Sequence, residues 1–577
     1  MSSPALVEEI RQVRPAPPRR RFPVDGTALA IAVLTLLLYI PGMWWGLPHV
    51  IHPQVPHGWE IDTASGLAVL SELHNLFLQP QPGWYVAYPV FHYLVLGGVY
   101  APYLAFLWLS GGLANPSGVY PYGFSDPVRS IAILGLLARF VTLAMVVGIV
   151  VCCYRTGRIV WDRASGVMAA TGVLLCVPLV YYGRTGNLDT PVLFWTVLGL
   201  AVLARSVENG LTVKRGLALG ALAALAVATK DQAYAAWLGG FAALGVLHRR
   251  ASGRQSGFSK PLAAIAGSGF VVYAMASGLI WNPSRFRAHV SFLANFETTF
   301  YNVAQLGLLR PATPGGYAQL AIDICGCLVE AMGPALVAAA LVGLPLTWRG
   351  TPFVRILAAM TISHLVLTVF TVRHMQYRYI LFAAVALMLP AARALRLGWL
   401  QGGRTRLVAA VAGLSGACWL VVMSGDLVYQ MLYDARYPAG AWLETAVRPG
   451  DRVAFFTSPD FVPNLPRGVE PIRLNRDTVR PDPGFFEEQR ITWVLVSPDN
   501  SSRSTGAHAG FRDWGMERSV FLPQAVYAGL QNGSLGYDKA ADFKTRSLIG
   551  RPVKFLPWIN PQVQVFVRKS PSKGSEG

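Results

Sequence analysis

The residues best suited to chemistry lie in Trp59-Glu60-Ile61-Asp62, with His57 just before them. Acids are scarce in the apolar part of this 577-residue chain, and here two stand two positions apart beside an indole and an imidazole. A carboxylate held near a lipid boundary can be tuned to act as a general base. The other acids outside the apolar runs, on the same predicted face, are Glu72, Asp126, Asp189, Asp231 and Glu297. The matching bases are Lys230, Arg285, Arg287, Arg310, Arg373 and Arg378. Guanidinium forks suit phosphate oxygens, so the set contains what is needed to move a group from a lipid-linked phosphate onto a hydroxyl. The plain alternative is that isolated acids in loops are solvated charges.

Composition says where these residues must sit. With 53% hydrophobic and 14% charged residues and repeated apolar runs, the chain reads as a polytopic, mainly α-helical membrane protein. The net charge of +19 falls largely in short basic clusters between apolar runs, where it sets topology, so no nucleic-acid partner is expected. Six cysteines lie inside apolar runs without metal-ligand spacing. Residues 1–24 are rich in Pro and Arg and read as a disordered cytoplasmic tail.

The basic clusters order about eleven spans from residue 25 to 425. Gly42 to Val128 contains no Lys or Arg, although it holds the apolar run Val90 to Leu109. That run is expected to be a juxtamembrane or re-entrant element, broken at Gly97-Gly98 and Pro102, with both ends outside. Later spans are expected at 130–153, 164–182, 190–204, 216–229, 232–247, 261–280, 320–346, 353–370, 379–392 and 407–424. From Asp426 on, the chain holds 19 of the 49 basic and 16 of the 30 acidic residues. It reads as an extracytoplasmic α/β domain, 426–570, before a disordered tail, 571–577. A helix is expected at Ala439 to Val447, with strands at Val453 to Thr457, Thr492 to Val496 and Val563 to Val567. The whole is placed in the plasma (inner) membrane with its N-terminus in the cytoplasm.

The motifs together resemble the GT-C glycosyltransferases, in the branch of protein O-mannosyltransferases and lipid A aminoarabinose transferases. The matching features are Leu47-Pro48, Trp59 to Asp62, Gly83 to Pro89 with Phe91-His92-Tyr93, Arg139, Tyr182 to Asp189, Ala228-Thr229-Lys230 and Arg373 to Tyr379, followed by Pro390. They cover roughly residues 27 to 424. The resemblance implies a polyprenyl-phosphate sugar donor, an acceptor hydroxyl on a glycan, lipid or protein, Asp62 as general base and Asp189 as a second acid orienting donor or metal. Two departures stand out: Asp62-Thr63 where the family often has Asp-Glu, and Ala87 where it often has Lys or Arg before Tyr-Pro. The first leaves Glu60 as a rival base. The second moves phosphate contact to Lys230, Arg378, Arg373 or Arg139.

Other residues read both ways. Arg139, inside an apolar run, either partners a buried acid or meets the donor. Trp59, His57, Tyr88, His92, Arg184, Asn187 and His374 are candidates for the donor or acceptor pocket. A divalent metal held by Asp62 and Asp189, with help from His52, His57, His74 or His92, is an open alternative without a ligand signature. Asp323 and Glu330, seven apart, share a helix face and read as cavity wall or proton path. The competing class is a transporter or lipid flippase using Asp62, Asp189, Asp323 and Glu330 for coupling; a scaffold without activity is a third. A large domain on one face favours the enzyme.

Overall fold

The computed structural model describes residues 25–52, 55–59, 68–78, 88–252, 260–294, 309–456, 459–474, 479–497, 523–550, 556 and 558–569. Glu60 and Asp62 lie outside them. Helices α1 (Gly26–Tyr39), α2 (Val69–Phe77), α3 (Phe91–Leu109) and α4 (Pro127–Val160) lead into α5 (Arg163–Leu174), α6 (Val177–Tyr182), α7 (Asp189–Glu208) and α8 (Val213–Thr229). They are followed by α9 (Ala233–Ser252), α10 (Lys260–Ala276), α11 (Pro283–Ala294), α12 (Pro314–Met332), α13 (Pro334–Trp348), α14 (Pro352–His364), α15 (Tyr377–Gln401) and α16 (Gly403–Leu432). Six described helices are long and apolar enough to cross a membrane, or seven if the bent pair α12 and α13 counts as one.

Helix starts follow from local chemistry. Asp25 accepts from the Thr27 and Ala28 amides, and Asp126 accepts from Arg129 N–H just before Pro127. Asp162 and Thr212 cap α5 and α8 in the same way. Two expected spans are interrupted. The segment read as 164–182 stops at Leu174 and restarts at Val177, where Pro178 occupies the first turn. The segment read as one span at 320–346 bends by 108° at the join of α12 and α13. Gly333, with φ +85°, makes that bend, and Pro334 starts the next helix.

One expectation is corrected. Phe91 to Leu109 forms a single unbroken helix through Gly97, Gly98 and Pro102, because one missing N–H is tolerated in a helix whose other bonds remain. Both its ends are nevertheless tied to one end of the bundle. Before its start, the Tyr88 carbonyl accepts from Arg285; after its end, the Gly112 carbonyl accepts from Ser125 N–H, beside the start of α4. Parity agrees: Asp25 at the start of α1 meets Arg158 at the end of α4. Arg139, in the first half of α4, meets the Met43 and Trp45 carbonyls just after α1. The two helices are therefore antiparallel neighbours, and the chain between them leaves and rejoins the same end.

Beyond α16, α17 (Arg436–Ala446) precedes β3 (Arg452–Phe455), β4 (Glu470–Arg473), α18 (Pro483–Glu488), β5 (Trp493–Val496), α19 (Gln524–Gln531), β6 (Tyr537–Phe543) and β7 (Val563–Arg568). The strands form one mixed sheet in the order β4-β3-β5-β7-β6, parallel from β4 to β5 and antiparallel thereafter. Alternate residues of its central strands enter two apolar clusters, one with Phe486 and Leu530 and one with Ala439 and Leu443, so the sheet is covered on both faces. A short antiparallel pair, β1 (His49–His52) and β2 (Val55–His57), sits in the first loop with His49 opposite His57.

Candidate active site

Asp189 begins α7 and is buried, its amide bonded to the Asn187 side-chain oxygen. Lys230 ends α8, where its extended backbone turns the side chain back toward α7. Its Nζ lies 2.6 Å from Asp189 Oδ1, and both side chains are 6% exposed. Such a pair persists only because each charge compensates the other. An ammonium has three donors, so two remain for other acceptors.

The two residues that the sequence assigned to separate motifs are thus in contact, and a third joins them. Asp189, Arg378 and His364 line one cavity of about 40 Å³, together with Thr196, Gln232 and Phe382, which gives room for water-sized groups. His364 escaped the sequence reading, although a histidine inside an apolar run is a signal in its own right. It closes α14 where the helix widens into a π-helical turn, Leu365–Phe370, a distortion frequent at functional sites. Its Nε2 donates to the Tyr379 carbonyl at 2.9 Å, which leaves Nδ1 as an acceptor without a partner among the described residues.

Around this centre the same end of the bundle gathers more charge pairs. Arg285 stands 3.7 Å from Glu72, His289 pairs with Asp231 at 3.2 Å, and Arg310 meets Asp323 at 2.8 Å. Arg373, in the left-handed region at φ +56°, exchanges backbone and side-chain bonds with Arg310. His374 is buried and shares a hydrogen bond with the Gln376 amide at 2.8 Å. His92, beside Phe91 where α3 meets Trp195 of α7, is buried with Nδ1 unpartnered among the described residues. Asn187 Nδ2 is in the same condition.

Arg139, expected at the lipid phosphate, and two expected pocket residues, Arg184 and Trp59, hold the first loop in place. Arg139 grips the Met43 and Trp45 carbonyls, each at 2.7 Å. Arg184 donates to the Pro41, Val180 and Leu38 carbonyls and lies 4.6 Å from the centre of the Tyr39 ring. Trp59 is buried: its Nε1 donates to Val462 O at 3.0 Å, Arg436 covers its ring at 4.1 Å, and Tyr437 packs edge-on at 4.7 Å. Arg436 in turn is paired with Asp434 at 2.6 Å, both side chains fully buried, and Asp434 accepts from Trp45 Nε1. The chain segment that enters the acidic motif is therefore clamped by α4 on one side and by the C-terminal region on the other. His57, half-buried, is the edge of the same loop.

As to a metal, no group of three or more His, Cys, Asp or Glu among the described residues is placed to hold one. Asp189 Oδ1 is already bound to Lys230, and no second acid joins it among the residues lining its cavity.

No family model matches the chain, and no curated protein matches it in sequence. Solved structures similar to it include the Archaeoglobus fulgidus oligosaccharyltransferase with Zn and sulfate, at 14% identity and TM-score 0.47 over 86% of this chain and 70% of that one. ArnT from Cupriavidus metallidurans bound to undecaprenyl phosphate is similar at 11% identity and TM-score 0.47, over 94% and 98%. Arabinofuranosyltransferase AftD from Mycobacteria is similar at 15% and 0.40, over 96% of this chain and 42% of that one. All three are glycosyltransferases of the GT-C class that the sequence motifs resemble.

Proposed function

We propose that this protein is an inverting membrane glycosyltransferase that takes a sugar from a polyprenyl-phosphate donor on the extracytoplasmic side. Asp62 removes the acceptor hydroxyl proton. The acceptor oxygen forms its bond to the anomeric carbon as the bond from that carbon to the phosphate oxygen breaks, and the electron pair leaves on the lipid phosphate. Lys230 and Arg378 meet the negative charge that grows there, while Asp189 holds Lys230 in direction. Arg373 adds a further cation for the lipid phosphate. The observation that supports this reading best is that Asp189, paired with Lys230, lines one small cavity together with Arg378, which brings three motifs far apart in sequence to one place.

The test is transfer from a polyprenyl-phosphate sugar by purified protein in lipid nanodiscs. Asp62→Asn keeps the shape and removes the basic oxygen, so turnover is expected to fall by a factor on the order of a hundred or more, with donor binding kept. Glu60→Gln should fall far less. Near-normal turnover in Asp62→Asn with a loss in Glu60→Gln exchanges the two roles, and normal turnover in both removes the chemistry from this loop.

A further inference from the structure

A second cavity, far larger than the site cavity and apolar, opens between α8, α9 and α10, with a volume of about 1080 Å³. Its shape follows from where the small residues lie. Gly220 of α8 lies so close to the Ile265 carbonyl and Ser268 of α10 that a Cβ there would collide with both, and these two helices are tightly paired. α9 leans the other way: Gly239 and Gly240 pack on Ser363 and Met360 of α14, and Ser363 donates to the Ala235 carbonyl at 2.6 Å. The splay leaves a wedge walled by Trp237, Phe241, Leu262 and Phe270. Its lips are apolar side chains open to the surroundings: Leu238 is 59% exposed and Phe270 69%.

The two ends of the wedge differ chemically. Tyr234 and Tyr273 mark the end near Lys230, while His248 and Arg249 mark the other. Fifteen residues of helix separate Tyr234 from Arg249, about 22 Å, which is most of a hydrocarbon core of about 30 Å. His248 Nε2 and Trp237 Nε1 are buried with no hydrogen-bond partner among the described residues. A buried donor in that state calls for an acceptor.

We propose that this cavity is a binding site for one anionic phospholipid. An acyl chain lies along Trp237, Phe241 and Phe270, and the headgroup phosphate is held by Arg249 and His248. The choice of occupant rests on charge complementarity. A guanidinium and an imidazole donor at one mouth of an otherwise apolar wedge fit a phosphate oxygen set, and this mouth is at the opposite end of α9 from Asp189 and Lys230. The site is therefore separate from the one assigned to transfer, and does not depend on it.

Native mass spectrometry of the full-length protein, stripped in detergent and then mixed with phosphatidylglycerol or phosphatidylcholine, tests the site. One tightly retained phosphatidylglycerol is expected, preferred over phosphatidylcholine by about tenfold. Arg249→Gln with His248→Gln, at the end of α9 away from Lys230, should remove the preference, and Ala266→Trp, which fills the wedge, should remove retention of both lipids. Equal retention of the two lipids, or a preference that survives the Arg249 and His248 changes, overturns the proposal. So does displacement of the phospholipid by stoichiometric undecaprenyl phosphate, which would assign the wedge to the donor's tail. Should Ala266→Trp fail to fold, the double variant still decides.

Discussion

The contact between Asp189 and Lys230 separates stability from activity in a way that can be measured. Removing one partner of a buried pair strands the other charge, at about 3–5 kcal/mol. Asp189→Asn alone and Lys230→Met alone should therefore each lower the thermal midpoint in detergent sharply. The double variant, which buries no unpaired charge, should recover much of that loss while transfer stays absent. A double variant that regains transfer would show that the pair serves only the fold. Arg378 is tested differently: Arg378→Lys keeps a charge but loses the planar fork, so the donor KM should rise while the midpoint stays near that of the parent.

At the scale of elements, α3 tests how topology is read. It is long and apolar enough to cross a membrane, yet its flanks bond to the same end of the bundle through Tyr88 and Gly112. Single cysteines at Gln81 and Ser117, in a chain whose other cysteines are replaced, should both react with an impermeant thiol reagent added from outside. Protection of one alone would make α3 a true span and reverse every later sidedness. The absence of Lys and Arg between Gly42 and Val128 already argues for the first outcome, since a cytoplasmic flank would carry positive charge.

Across the whole molecule, the C-terminal region is joined to the bundle by a few fully buried residues. Arg436 and Asp434 are sealed between Trp45 and Trp59, and Trp558 donates to the Tyr181 hydroxyl at 2.6 Å. Arg436→Met leaves Asp434 buried and unpaired, so limited proteolysis should release the C-terminal region in this variant and not in the parent. The same seam gives a pH dependence. Burial, with the charge of Arg436 nearby, pushes the His49 imidazole down to about 3, from an ordinary value near 6.5. The unfolded chain then takes up a proton that the folded one refuses, so stability is complete above about pH 6.5 and falls as the pH drops toward 3. Thermal midpoints measured between pH 7 and 4 should fall for the parent and fall less for His49→Phe; equal slopes would place the acid sensitivity elsewhere.

The sequence by itself determined what depends on local chemistry or on the solvent. Apolar runs set the helical membrane class, capping Asp and Thr side chains set helix starts, and the apolar strands β3, β5 and β7 stood within a residue or two of their expected places. The edge strands β4 and β6 were not legible, because Glu470-Pro471-Ile472-Arg473 and Tyr537 to Phe543 carry no continuous apolar pattern and form only against a neighbour. The 108° bend at Gly333 was missed although Gly333-Pro334 is a turn signal, because the apolar run continues unbroken on both sides of it. Motif order named Asp189, Lys230 and Arg378 as separate candidates, but only packing put Asp189 against Lys230 and brought His364 of α14 to the cavity that Arg378 also lines. It was also packing that drew Arg139, Arg184 and Trp59 into clamping the first loop. A buried arginine has the same letters whether it meets a phosphate or a ring of backbone carbonyls, and which one it meets is decided by chain segments hundreds of residues away.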